Sequence, residues 1–595
     1  MIRLKFFCAA LLFCGFSCSE HAAAEGPGDE VPGRFDEYEL LMRERPTLSL
    51  MTPQELEFPE GLVELWMRAL RRQEPELQRL IIDTMAMAFE EKLEGLEVAV
   101  DELVALASAD KQDLDVVRAA LQTLIVLDVR EHQELFADLA EAKGAAISEI
   151  VEPALATWQS KVMEEVWIDR VREQAASPSQ MMLAIQGLAA IGSGGANAGL
   201  QSLVRNSSAL RKLRLAAARA LGVLAPEDQI KLASELEAES RQQVLDAFLG
   251  LALIEGIDSV EAVTTLQKFV SNPNSAVQSL ALEHLYRVDF ELVVPYVSGL
   301  LGSRDVNVRR WCAKSLIDGA KPQDVAVIAG LLNDINPDLR SLAANSLVDL
   351  AQDPRLKSNV LLEVEKVFSG DNWRGCEQAC VVFGKLDYEA SADRMVELLG
   401  HPRGDVKVAA AWGLTQLRVA EVLPDMLDHA DSVFQGLKSG QLNARMPGVT
   451  FHLAHLCLAF GDQGYTPAEP LLVKLVPKSY DYGEYPRPAA VWSLGMFHKG
   501  DPEPRLVASL VERLQDDAGM VPEIELVRIM SAVSLGRMNA ESAKDALAEY
   551  SVKTNLLASA TRWGLEEITG ERVPLPPHTP TTNTKNQWFL TPLTP

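Results

Sequence analysis

The residues best suited to chemistry lie in FHLAHLCLAF, residues 451–460, which brings His452, His455 and Cys457 together. Histidines at i and i+3 share a helix face and can reach one metal ion. No third ligand follows nearby, so two readings stand. One is a metal-dependent or other enzyme built around His452 and His455; the other is helix histidines with ordinary hydrogen bonds. A second stretch, RPAAVWSLG (487–495), sets Arg487 beside a proline and Trp492, with His498 just beyond. Cys376 and Cys380 can share a helix face. With Cys312 and Cys457 they read as small apolar residues, not as a disulfide framework. The sequence holds no G-x-S-x-G, Walker loop, H-E-x-x-H or C-x-x-C-H, so it offers no catalytic motif and implies no cofactor.

Helices must position all of these residues. From about Phe58 onward apolar residues recur with helical period, and no run of alternating β-branched residues suggests a sheet. The pattern also repeats. An anchor with a small residue four places before it and an apolar residue three places after it occurs at Leu124, Leu188, Leu221, Leu251, Leu285, Leu316, Leu347, Phe383, Leu414, Leu458, Leu494, Leu535 and Leu565. Most intervals are about 30 to 36 residues; the first is twice that and two near the end are wider. Positions −4, 0 and +3 share one helix face, so small residues such as Ala217, Ala343 and Ala490 let neighbouring helices approach. Pro273, Pro337 and Pro402 break the pattern ahead of an anchor helix. The unit is helix, turn, helix, and roughly 13 to 15 of them make an all-α solenoid, an α-α superhelix.

DLRSLAANSLVDL, DVKVAAAWGLTQL and LRKLRLAAARALGVL resemble HEAT-type repeats, in particular the short bacterial kind related to phycobilisome-lyase HEAT-like repeats. FPEGLVELWMRAL, VEPALATW and RWGLEEITGE resemble a subgroup of exported bacterial HEAT proteins. The resemblance implies a HEAT/ARM-like superhelix that serves protein or peptide binding. It also implies that the −7 column, Arg214, Arg309, Arg340, Lys407, Arg487 and Arg528, forms a structural ladder with Asp338 and Asp405. HEAT-type di-iron hydroxylases carry His-Glu dipeptides, and none of the nine histidines is followed by Glu.

One column departs from a uniform scaffold. Position −2 lies about 160° from the core face and is expected to meet solvent on the concave side. It is mostly polar early on, with Gln122, Gln186, Arg219, Glu283, Lys314 and Asn345. It then turns apolar: Val381, Trp412, Leu456, Trp492, Val533 and Trp563. Such a stripe is expected to bind a partner, or to lie under the insertion DQGYTPAEPLLVKLVPKSYDYGEYPRP or the chain's own tail.

The chain of 595 residues, 48% hydrophobic and 24% charged, is long enough for a repeated architecture. Its net charge of −28 argues against nucleic acid and anionic membrane surfaces. MIRLK followed by FFCAALLFCGF and Ala22-Ala23-Ala24 reads as a signal peptide over 1–24, placing the protein in the periplasm or cell envelope. Lipid attachment at Cys18 is the alternative. Residues 25–55 read as a flexible linker, 56–570 as the repeat solenoid and 571–595 as a Pro-rich tail carrying Trp588-Phe589-Leu590. No stretch is long enough to span a membrane.

Overall fold

The computed structural model describes residues 58–239, 243–518, 521–552 and 555–573. The stretches expected as signal peptide (1–24, with Cys18) and linker (25–55), and the tail beyond Val573, lie outside them. Among the described residues the chain forms 30 α-helices and no strand, and two helices to a repeat make 15 repeats. The run expected as one domain over 56–570 divides into two compact units, residues 58–319 and 320–573.

In each repeat an outer helix is followed by an inner helix that carries the anchor. The inner helices start where Asn and Asp cap them: Asn274, Asp305, Asn336 and Asn372 accept hydrogen bonds from first-turn N–H groups. They end by a shared device. The residue four places after the anchor takes a left-handed conformation, as at Asp128 (φ 56°), Asp387 (φ 51°), Arg418 (φ 54°) and Asn539 (φ 58°). In several copies the next N–H then donates back to the anchor carbonyl, Val129 to Leu124 and Ala540 to Leu535, both at 3.0 Å. The anchors Leu124, Leu221, Leu347, Phe383 and Leu494 are fully buried.

The doubled first interval contains a further repeat, the helices Gln133–Lys143 and Ala145–Thr157. Its anchor, Leu155, is fully buried. Val151 in place of a small residue, and Pro153 inside the helix, mask its pattern in the sequence.

Candidate interaction surface

The −7 side chains cap the outer helices. Arg214 donates to the Val204 carbonyl at 2.8 Å, Arg340 to Asp334 at 3.0 Å and Arg528 to Leu514 at 2.9 Å. Arg309 reaches the Ser303 carbonyl at 2.8 Å, and Gln278 does the same work on Val270 at 3.1 Å. These carbonyls lie at or just past the C-terminal ends of the outer helices, where no intrahelical donor remains. The acids that meet the cations lie mostly one repeat further on: Asp246 for Arg214 (3.5 Å), Glu377 for Arg340 (3.7 Å) and Glu523 for Arg487 (2.7 Å). In these three pairs the acid is neither Asp338 nor Asp405: Asp405 pairs with Arg403 at the surface (2.8 Å), and Asp338 lies in the first turn of its own helix. Lys407 is half-buried near His429 and His452.

The −2 column meets solvent at Gln122, Arg219 and Asn345, as expected, and Gln186, Glu283 and Lys314 are half-buried. In the later repeats the outcome differs. Val381, Leu456, Trp492 and Val533 are at most 2% exposed, while Trp412 and Trp563 are half-buried. The inner helices here are drawn together by small residues. A Cβ added at Gly461 would stand 2.5 Å from Ser493 Oγ, and one at Gly536 would stand 2.5 Å from Gly564 Cα. Gly384 similarly lies under the Trp412 ring. Hydroxyls then bridge adjacent helices. Thr415 donates to the His455 carbonyl (3.2 Å), Ser493 to Cys457 (2.8 Å) and Ser534 to Val491 (2.9 Å). Sequence columns did hold this signal, because Gly384, Gly495 and Gly536 all stand at +1 and Ser493 and Ser534 at −1.

Trp492 is the largest fully buried apolar side chain of this column. The Arg537 guanidinium lies 5.4 Å from its ring centre, and its Nε1–H has no acceptor among the described residues. A buried donor left unsatisfied costs about 1–3 kcal/mol. The insertion does not present itself as a lid. It supplies the outer helix Glu469–Leu475 of its own repeat, and its turn is fastened to the next by Tyr480 to the Pro522 carbonyl and Lys478 to the Val521 carbonyl, both 2.6 Å.

His452 and His455 are both fully buried on the helix Val449–Asp462. His452 turns to His429 of the outer helix Leu423–Ser439, with the two Nε2 atoms 3.4 Å apart. Burial lowers His429 to about 4 and His452 to about 3, and Lys407 adds to both. His498 instead meets Glu469 at 2.8 Å. Burial pushes the Cys457 thiol up to about 12. Among the described residues no group of three or more His, Cys, Asp or Glu is arranged to hold a metal, and no helix is long and apolar enough to cross a membrane. His429 lay outside sequence reasoning because it is one helix away and belongs to no repeat column.

No protein-family model matches the chain, and no curated protein matches it. Among solved structures it is similar to importin β crystallised in a polyethylene glycol condition, with a TM-score of 0.51 and 12% identity over 79% of this chain and 71% of that one. It is also similar to yeast importin β, Kap95p, with a TM-score of 0.46 and 13% identity over 85% and 72% of the two chains. For Kap95p with RanGDP the TM-score is 0.49, at 13% identity and the same coverage. The first likeness shows the fold, a solenoid of HEAT-type helical repeats.

Proposed function

We propose that this chain is a non-catalytic scaffold that binds an extended protein segment on the inner face of residues 320–573. The observation that carries the reading is a change along the −2 column: Trp412 and Trp563 stand half-buried where earlier repeats put polar side chains, while Val381, Leu456, Trp492 and Val533 are buried. The part-exposed indole rings of Trp412 and Trp563 offer apolar anchors to an extended segment. Solenoids of this type present long surfaces to peptides, and solved neighbours of similar fold include Kap95 with Nup1 and Kap121p bound to the SUMO protease Ulp1p. The occupant is the chain's own Pro-rich tail, residues 571–595, or a partner segment. The signal-like start supports a setting in the cell envelope as part of this reading.

The test compares the full chain with one ending at Gly570, adding a peptide that copies residues 571–595 and reading indole fluorescence. Partners from the envelope fraction are then captured with both forms. Trp412→Ala and Trp563→Ala should weaken binding while helical circular dichroism stays unchanged. Loss of helix in those variants would make them core residues and end the reading.

A further inference from the structure

The chain turns back as it leaves its last helix. Gly570 closes the helix Leu556–Thr569 in the left-handed region (φ 71°), and its N–H donates to the Glu566 carbonyl at 2.8 Å. Glu571 N–H then donates to the Thr569 hydroxyl at 3.2 Å, and Val573 N–H to the Glu566 carboxylate at 3.0 Å. These bonds fold residues 571–573 against the helix they have just left. Glu566 lies one turn after Trp563, so the two share a helix face, and Val573, Glu566 and Trp563 are all half-buried. The residues that follow Val573 therefore start on the side of the helix that carries Trp563, the last member of the −2 column.

We propose that residues 574–595 are the resident occupant of the inner face of residues 320–573, an autoinhibitory strap that a partner segment must displace; this rests on the scaffold reading above. The order of residues suits that course. Pro574, Pro576 and Pro577 come first, and proline-rich segments dock on aromatic side chains such as Trp563 with little entropy to lose. Trp588 stands 15 residues after Val573, and an extended course of about 3.1 Å per residue carries it about 46 Å. The inner helices Leu556–Thr569, Glu525–Arg537, Pro486–Phe497, Val449–Asp462 and Gly404–Leu417 pack in succession. Four steps of about 8–10 Å each separate Trp563 from Trp412 by about 32–40 Å. Trp588-Phe589-Leu590 thus reach the other half-buried Trp of the column, with little length to spare.

A fluorescently labelled peptide copying residues 574–595 is titrated into the full chain and into a chain ending at Val573. Tethering gives the resident tail an effective concentration on the order of millimolar, so the full chain is expected to bind the peptide at least tenfold more weakly. Trp588→Ala with Phe589→Ala in the full chain should restore binding to the level of the shortened chain. Equal binding to the full and shortened chains overturns the proposal. So does an absence of saturable binding to the shortened chain, which leaves the scaffold reading standing if Trp412→Ala still weakens capture of a partner segment. The course of the tail is read in the unmutated full chain with an amine-reactive cross-linker. Lys585 stands three residues before Trp588, and exposed Lys385 follows Gly384, which lies under the Trp412 ring. A Lys585–Lys385 link within one chain is expected. Links of Lys585 confined to residues before 320, or to a second copy, overturn the assignment.

Discussion

Arg487 and Glu523 face each other as a bidentate pair, both bonds 2.7 Å long and both side chains fully buried. The same guanidinium reaches the Leu475 and Val476 carbonyls, and Arg513 adds a second cation to Glu523 at 3.3 Å. Burial raises the Glu523 carboxyl, but hydrogen bonds and charge from Arg487, with the Ile524 N–H and Arg513, outweigh it and hold the group below its ordinary range. One residue thus closes an outer helix, its own inner helix and the entry to the next inner helix.

Removing one partner strands a buried charge. Glu523→Gln or Arg487→Met should therefore cost about 3–5 kcal/mol in urea unfolding. The double change Arg487→Met with Glu523→Leu should recover much of that, because it removes both desolvated charges. A neutral single variant would show that the pair contributes little.

The close approach of the inner helices makes a second prediction. Gly461→Ala and Gly536→Ala force a Cβ into Ser493 or Gly564 and should each cost about 1–3 kcal/mol. Gly299, also helical but with open space around it, is the control. There alanine should be neutral or stabilising by up to about 1 kcal/mol. Equal effects at the three positions would refute tight packing as the cause.

Acid should weaken the fold through its buried histidines. His452 (about 3), His429 (about 4) and His284 (about 4) are held neutral, each mainly by burial. An unfolded histidine has a pKa of about 6.5, so between that value and the folded one the unfolded chain binds more protons. Stability is then intact above about pH 6.5 and falls as pH drops, by at most about 1.4 kcal/mol per pH unit for each such group. Urea midpoints between pH 7 and 5 read this out, and His452→Gln should flatten the dependence.

The buried thiols should resist modification. Cys312, Cys380 and Cys457 are fully buried, Cys376 nearly so, and burial raises all four. A thiol reagent at pH 8 should leave them untouched in the chain that starts at Glu25 and react with all of them after denaturation. Rapid native labelling of any one would mark a local opening of its repeat.

The fold was legible because it is written in local repetition. The −4, 0 and +3 columns are set by helix geometry alone, and the same helix face is buried whichever neighbour covers it. The −7 column was legible as structure, with Arg487 the plainest case. The acids that meet Arg214, Arg340 and Arg487, namely Asp246, Glu377 and Glu523, come from the next repeat and share no sequence column, so no single period points to them.

By itself the sequence determined an all-α repeat architecture and singled out Trp412, Trp492 and Trp563 as the residues that break its polar column. Only the tertiary structure decided how close one inner helix stands to the next. That spacing follows from which glycine meets which serine across two helices, a pairing no single helix period contains. It turned Trp492 from an exposed aromatic into a buried one with a stranded donor. By the same kind of packing across helices, it set His452 against His429 instead of leaving it to work with His455.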